Sequence, residues 1–185
     1  MILPVTIYGD PVLRKVAKPI DAEYKGLAEF IENMWATMYH SDGVGLAAPQ
    51  VGRSVRIFVV DATGLADEEP ELADFKKVFI NAEIIERFGD DEGMNEGCLS
   101  LPGLREDVTR KTEILIRYQD ENFVEHEEEY SGFAARVIQH EYDHLEGKLF
   151  VDHLSPLRKR LLKGKLTNIS KGKVNVGYKI RIPGK

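Results

Sequence analysis

An α+β fold is expected, and three features of the sequence support it. The segments "TEILIRYQ" and "NFVEHEEEY" alternate in polarity on either side of Asp120-Glu121, the pattern of an antiparallel hairpin. "VRIFVVDA", Val55 to Ala62, is an apolar run of strand length. Between Gly132 and Glu146 the apolar positions Phe133, Val137, Ile138 and Leu145 follow helical spacing instead. At 185 residues, 43% hydrophobic and 30% charged, the chain suits one globular domain over residues 1–185 with a sizeable core.

The elements follow in order. The opening "MILPVTIYGDPVL" reads as loop; it lacks a basic n-region and is broken by Pro4, Gly9, Asp10 and Pro11, so no signal peptide is expected and the default compartment is the cytoplasm. Asp21 is a plausible N-cap for a helix with Leu27, Phe30, Ile31, Met34 and Met38 on one stripe, stopping near Gly43. "GVGLAAPQVG", Gly43 to Gly52, has neither helical nor strand period and in isolation is a glycine-rich turn. After the strand Val55–Ala62 comes an acidic surface excursion, "TGLADEEPELADFKK". A strand pair is expected around Val78 to Phe88, then a loop, "GDDEGMNEGCLSLPG". Beyond it lies the hairpin, whose Glu125 and Glu127 to Glu129 read as a solvated face. The next helix begins after Ser131, with Gly147 as its C-cap signal. "SPLRKRLLKGKLTNIS" reads as a short basic amphipathic helix through Leu157, Leu161 and Leu162, and "KVNVGYKIRI" alternates like a strand. No apolar run approaches the length of a membrane span.

Charge and cysteine content narrow the function classes. The chain carries −6 overall, yet the segment after Asp152 holds ten Lys or Arg and no acid. An acidic body with a basic tail from about residue 153 points to a polyanionic partner for the tail; solvation alone is the simpler explanation. With one cysteine, Cys98, no disulfide forms within the chain, which suits a reducing compartment.

The helix after Ser131 carries the chemistry. "QHEYDHLEGKLF" places His140 and His144 four residues apart with Glu141 between them, so both imidazoles share one helix face. Burying two imidazoles and a carboxylate without partners costs several kcal/mol, which a metal ion removes. The longer pattern H-E-x-x-H-x-x-G-x-x-H is met through Gly147 but has Phe150 where a third histidine belongs. A catalytic site commonly has three protein ligands and an open position. Candidates for the third are His153, just beyond Phe150, and the thiol of Cys98 in the Gly- and Pro-bounded "EGCLSLPG". Glu146 turns to the far side of the helix, while His40 and His126 lack supporting neighbours. Glu141 is placed to act on a metal-activated water as general base and then return the proton to a leaving amine, which is amide hydrolysis.

"GVGLAAPQVG", "EGCLSLPG" and "QHEYDHLEGKLF", in this order and spacing, resemble the three signature segments of the peptide deformylases, and the match in motif order and size spans essentially the whole chain. The resemblance implies antiparallel sheets packed around the central histidine-bearing helix, Gly132–Glu146. It implies Cys98, His140 and His144 as metal ligands, and Gln50 with the backbone N–H of Leu99 as oxyanion donors. It implies removal of the formyl group from the N-terminal formyl-methionine of nascent polypeptides, releasing formate. Val44, Val137 and Leu99 then line a pocket for the methionine side chain, Gly45 and Gly97 offer backbone hydrogen bonds, and Arg105 lies at the mouth. Coordination rules alone point to zinc; the resemblance implies Fe2+, with Zn2+, Ni2+ or Co2+ able to substitute. The implied partners are N-formyl-methionyl nascent peptides, with weak ribosome contact through the basic tail, and neither a membrane nor sequence-specific nucleic acid. Two other readings use the same residues. One is a protease cutting internal bonds with His153 or a carboxylate as third ligand; the other is a non-catalytic metal-binding adaptor.

Overall fold

The structure, a computed structural model, describes residues 1–184. Lys185, the last residue of the basic segment, lies outside the described residues. Strand β1 (Val5–Thr6) is followed by a 3-10 turn at Pro11–Arg14 and by α1 (Leu27–His40). The helix starts later than Asp21 would place it. Asp21 caps a local turn instead, its Oδ1 accepting the Glu23 N–H at 3.0 Å, and Gly26 at φ 73° leads the chain into the helix. Of its expected stripe Phe30, Ile31, Met34 and Met38 are buried, while Leu27, in the first turn, is half-buried.

"GVGLAAPQVG" folds as β2 (Gly45–Ala47) and a 3-10 turn at Ala48–Val51, and β3 (Ile57–Asp61) occupies the expected apolar run. The next element departs most from expectation. β4 (Lys76–Gly97) is one strand of 22 residues where a strand pair and then a loop were expected. It pairs with β5 (Arg105–Gln119) as far as Gly97 opposite Arg105. Gly89, at φ 76°, and a register shift between Phe88 and Asp91 absorb the turn-like "GDD" as a bulge. Asp91, Glu92 and Gly93 are all exposed, so cross-strand pairing, not an apolar pattern, carries this arm.

β6 (Glu125–Ser131) completes the hairpin, and the sheet runs β2-β3-β4-β5-β6, antiparallel throughout. Its acidic run is not wholly solvated. Glu125, Glu127 and Glu129 face out, but Glu128 is half-buried and accepts from the Tyr118 hydroxyl at 2.8 Å and Lys77 Nζ at 3.1 Å.

α2 (Gly132–Leu145) lies against this sheet and is buried along almost its whole length. Its Ala135, Ile138 and Leu145 share a core with Phe58, Phe79 and Ile116 of β3, β4 and β5. Phe58 and Phe79 stack at 4.6 Å, and each such ring contributes roughly 1.5–3 kcal/mol by burial. The helix ends in a Schellman motif: Lys148 N–H donates to Asp143 C=O at 2.8 Å and Gly147 N–H to His144 C=O at 3.3 Å.

α3 (Pro156–Ser170) is capped by Ser155, whose Oγ accepts the Arg158 N–H at 3.2 Å. Leu162, Leu166 and Ile169 form its buried face, whereas Leu157 and Leu161, expected beside Leu162, are 66% and 65% exposed. Of the expected terminal strand only β7 (Ile180–Arg181) forms, parallel to β1. The described part of the basic segment is therefore packed against the body and is not a free tail. No helix among the described residues is long and apolar enough to cross a membrane.

Gly147 supplies a direct test of how α2 is terminated. It sits at φ 68°, and a Cβ there would lie 2.6 Å from the Arg14 carbonyl oxygen. Gly147→Ala is expected to destabilise by at least about 1 kcal/mol, the left-handed cost alone, read as a lower urea midpoint at unchanged m-value.

Candidate metal centre

The centre is built from α2 and the turn that follows β4. His140 and His144 lie one helical turn apart, and the turn at Cys98 brings its thiol to them: Cys98 Sγ is 3.4 Å from His144 Nε2. One donor atom from each of Cys98, His140 and His144 lies within 4.8 Å of the others, and among the described residues these three form the group able to hold a metal. His153, the alternative third ligand, is elsewhere: its Nε2 lies 2.8 Å from Asp143 Oδ2. Phe150 stacks against the His140 ring at 6.0 Å, a packing contact where the longer motif would have a ligand.

Behind His140 is a buried charge network that sequence reasoning missed. Glu96 Oε1 accepts from His140 Nδ1 at 2.8 Å and from Arg110 Nη2 at 3.0 Å. Its Oε2 accepts from Arg110 Nε at 2.7 Å and Arg136 Nη1 at 2.9 Å. Arg110 Nη1 continues to Asp143 Oδ2 at 2.8 Å. Two carboxylates and two guanidiniums, all buried, balance in charge. A signal existed for one member: Arg110 occupies the inward phase of β5, where an unpaired guanidinium would be prohibitive. Glu96 stood in the quoted cysteine segment, but nothing local marked it as the partner of His140.

The network sets protonation. Burial works against ionising Glu96, yet hydrogen bonds from His140 and Arg110 hold it far below the ordinary carboxylate range. Burial lowers His144 to about 3, with repulsion from His140 adding to it, so His144 is the neutral imidazole a ligand must be. Burial would lower His140 too, but its hydrogen bonds with Cys98 and Glu96 outweigh that and raise it, so a metal taking this site displaces a proton. With Glu96 on Nδ1, His140 turns Nε2 toward the thiol, the arrangement of metal-binding histidines. A thiolate and two imidazoles, one oriented by a carboxylate, fit a borderline-soft divalent ion.

The other expected site residues converge on the same place. Val44, Gly45, Gln50, Gly97, Leu99, Arg105, Val137 and Glu141 line one cavity of about 600 Å³ with Cys98 and His140. His144 lies behind its wall, 1% exposed. Glu141 presses against β2 so closely that a Cβ at Gly45 would lie 2.6 Å from its Oε1. Its Oε2 is buried without a partner among the described residues, as is His144 Nδ1. Burial pushes Glu141 up to about 7. Gln50 Oε1 accepts the Ala47 N–H at 2.8 Å, which turns its Nε2 toward Cys98 Sγ at 3.4 Å and Ser100 Oγ at 3.3 Å. Cys98 C=O accepts from Leu101 N–H at 2.9 Å, closing a turn whose Leu99 N–H donates to no acceptor among the described residues. Val176 and Tyr178, from the C-terminal segment, also line the cavity and were not anticipated.

Comparison with known proteins settles the family. A family model described as polypeptide deformylase matches residues 2–160. The chain belongs to the peptide deformylase family. It is 59% identical to a peptide deformylase of Christiangramia forsetii, over 99% of this chain and 97% of that protein. It also resembles the crystal structure of the peptide deformylase from Thermus thermophilus, with TM-score 0.82 and 38% identity, covering 94% of this chain and all (100%) of that one. The Thermotoga maritima peptide deformylase is 44% identical, with TM-score 0.75, over 84% of this chain and 99% of that one. As a peptide deformylase the chain is a metal-dependent hydrolase that removes the formyl group from the amino terminus of nascent polypeptides. The α+β fold, with its antiparallel sheet, agrees with these structures.

The charge network makes acid stability a test of this geometry. Burial opposes ionisation of Asp143, but pairing with His153 and Arg110 lowers it from 3.8 to about 2. A depressed carboxylate adds stability above its unfolded pKa and loses it as pH falls through the folded value. Unfolding free energy should therefore fall between pH about 4 and about 2, and urea titrations of Asp143→Asn should show a flatter acid limb than wild type.

Proposed function

We propose that Cys98, His140 and His144 hold the metal of the deformylation site and that Glu141, Gln50 and the Leu99 N–H handle its proton and its developing charge. One observation carries this reading: the buried, unpartnered Glu141 carboxylate oxygen lies in the same cavity wall as the thiol–imidazole cluster. When bound, a divalent metal supplies activation of water and polarisation of the formyl oxygen. Family membership implies Fe2+ as the physiological ion, and the thiolate and imidazole donors also accept Zn2+, Ni2+ or Co2+.

Glu141, near 7, takes a proton from the attacking water and returns it to the amine that leaves. A neighbouring cation favours its ionised form, which is the form that accepts. Gln50 Nε2, locked by the Ala47 N–H, and the Leu99 N–H stabilise the oxyanion, a contribution of about 10²–10³ in rate for one donor. β2 is an edge strand, so its free side at Gly45 can pair with an extended formyl-methionyl peptide, with Gly97 across the cleft. Val44, Leu99 and Val137 give the methionine side chain apolar contact, and the exposed Arg105 stands at the mouth.

Residues 1–185 serve as one catalytic domain acting on nascent chains in the cytoplasm. The cations of α3 support weak, salt-sensitive contact with ribosomes. Arg158 is the exception, being committed to Glu106 at 2.7 Å.

The test is formate release from formyl-Met-Ala-Ser by protein purified without oxygen and loaded with Fe2+ or Ni2+. Wild type should release formate and leave the peptide bonds intact. Glu141→Gln should keep its metal and lose about 10²–10⁴ in kcat. Folded, metal-loaded wild type that releases no formate would overturn the reading.

A further inference from the structure

The turn that presents Cys98 is held by the two ends of the chain. Tyr8, just beyond β1, donates its N–H to Ser100 C=O at 2.8 Å. Tyr178, just before β7, donates its hydroxyl to Leu99 C=O at 2.8 Å. β1 and β7 pair side by side, so both bonds come from one two-stranded unit. Ile180 and Ile182 pack with Cys98 into the cluster that buries Leu162 and Leu166 of α3. Tyr178 and Val176 also line the catalytic cavity, although both lie beyond residues 2–160, where the family model matches.

We propose that Tyr178 is a positioning residue for deformylation: by holding the Leu99 carbonyl it fixes the turn that presents Cys98 and the Leu99 N–H to the cavity. The inference rests on the role assigned above to Leu99. The peptide groups on both sides of Leu99 are restrained, one through Cys98 C=O to Leu101 N–H and the other through the Tyr178 hydroxyl. Removing the second frees the Leu99–Ser100 peptide, which lies inside the turn closed by Leu101 N–H on Cys98 C=O; the turn then loosens, and with it the aim of the Leu99 N–H, whose bond matters most in the transition state. Burial holds the phenol up to about 12, so it remains a donor at neutral pH. No other side chain donates to the Leu99 carbonyl among the described residues.

Tyr178→Phe removes the hydroxyl and keeps the ring. It should lower kcat on formyl-Met-Ala-Ser by about threefold to tenfold, the range for one neutral hydrogen bond, with KM changed less than about twofold. Bound metal and Tm should match wild type, while hydrogen–deuterium exchange of residues 98–101 should quicken and exchange elsewhere should not. Unchanged kcat with unchanged exchange at the turn would overturn the proposal. So would a loss of kcat matched by loss of metal or by a general fall in Tm, which is what a purely structural residue produces. If wild type itself releases no formate, it is the deformylation reading that fails, and the exchange measurement alone then decides whether Tyr178 holds the turn.

Discussion

The carboxylate of Glu96 is the constraint on which the rest of the centre depends. It comes from β4, meets Arg110 of β5 and Arg136 of α2, and spends its remaining capacity on His140 Nδ1. Removing either guanidinium would leave two buried carboxylates for one remaining guanidinium, a penalty of up to roughly 3–5 kcal/mol. The three elements therefore hold their relative register because their charges require it. That register also sets the His140 tautomer: with Nδ1 facing Glu96, Nε2 faces the thiol.

Around this anchor, each part of the site is supplied by an element held for its own reason. α2 is fixed by its apolar contacts with β3, β4 and β5, so Glu141 comes to rest against the side-chain-free Gly45. Gln50 is aimed by a backbone N–H three residues earlier. The Cys98 turn is tied to both chain ends. The proposed functional groups thus stand on paired strands, a buried helix and a braced turn, supports that preorganise a site more closely than free loops do.

What could be read in the sequence was what is local. The His140–His144 spacing, the apolar stripe of α1 and the glycine after α2 each report a periodicity or backbone preference within a few residues, and each appears in the fold. The far arm of β4 could not be read this way: Asp91, Glu92 and Gly93 have no inner face, and only pairing with β5 keeps them extended. Asp21 looked like a helix cap because the same side chain that caps helices also closes Asx turns. The apolar face of α3 was misplaced because Leu157 and Leu161 share its spacing but not its burial. Glu96 and Tyr178 owe their places to partners 44 and 79 residues away, beyond any local signal.

Coordination of the metal by one thiolate and two imidazoles can be read by X-ray absorption on the zinc-loaded protein. The spectrum should contain one sulfur at about 2.3 Å and two imidazole nitrogens at about 2.0–2.1 Å. Absence of the sulfur, or a third imidazole in its place, would contradict that coordination.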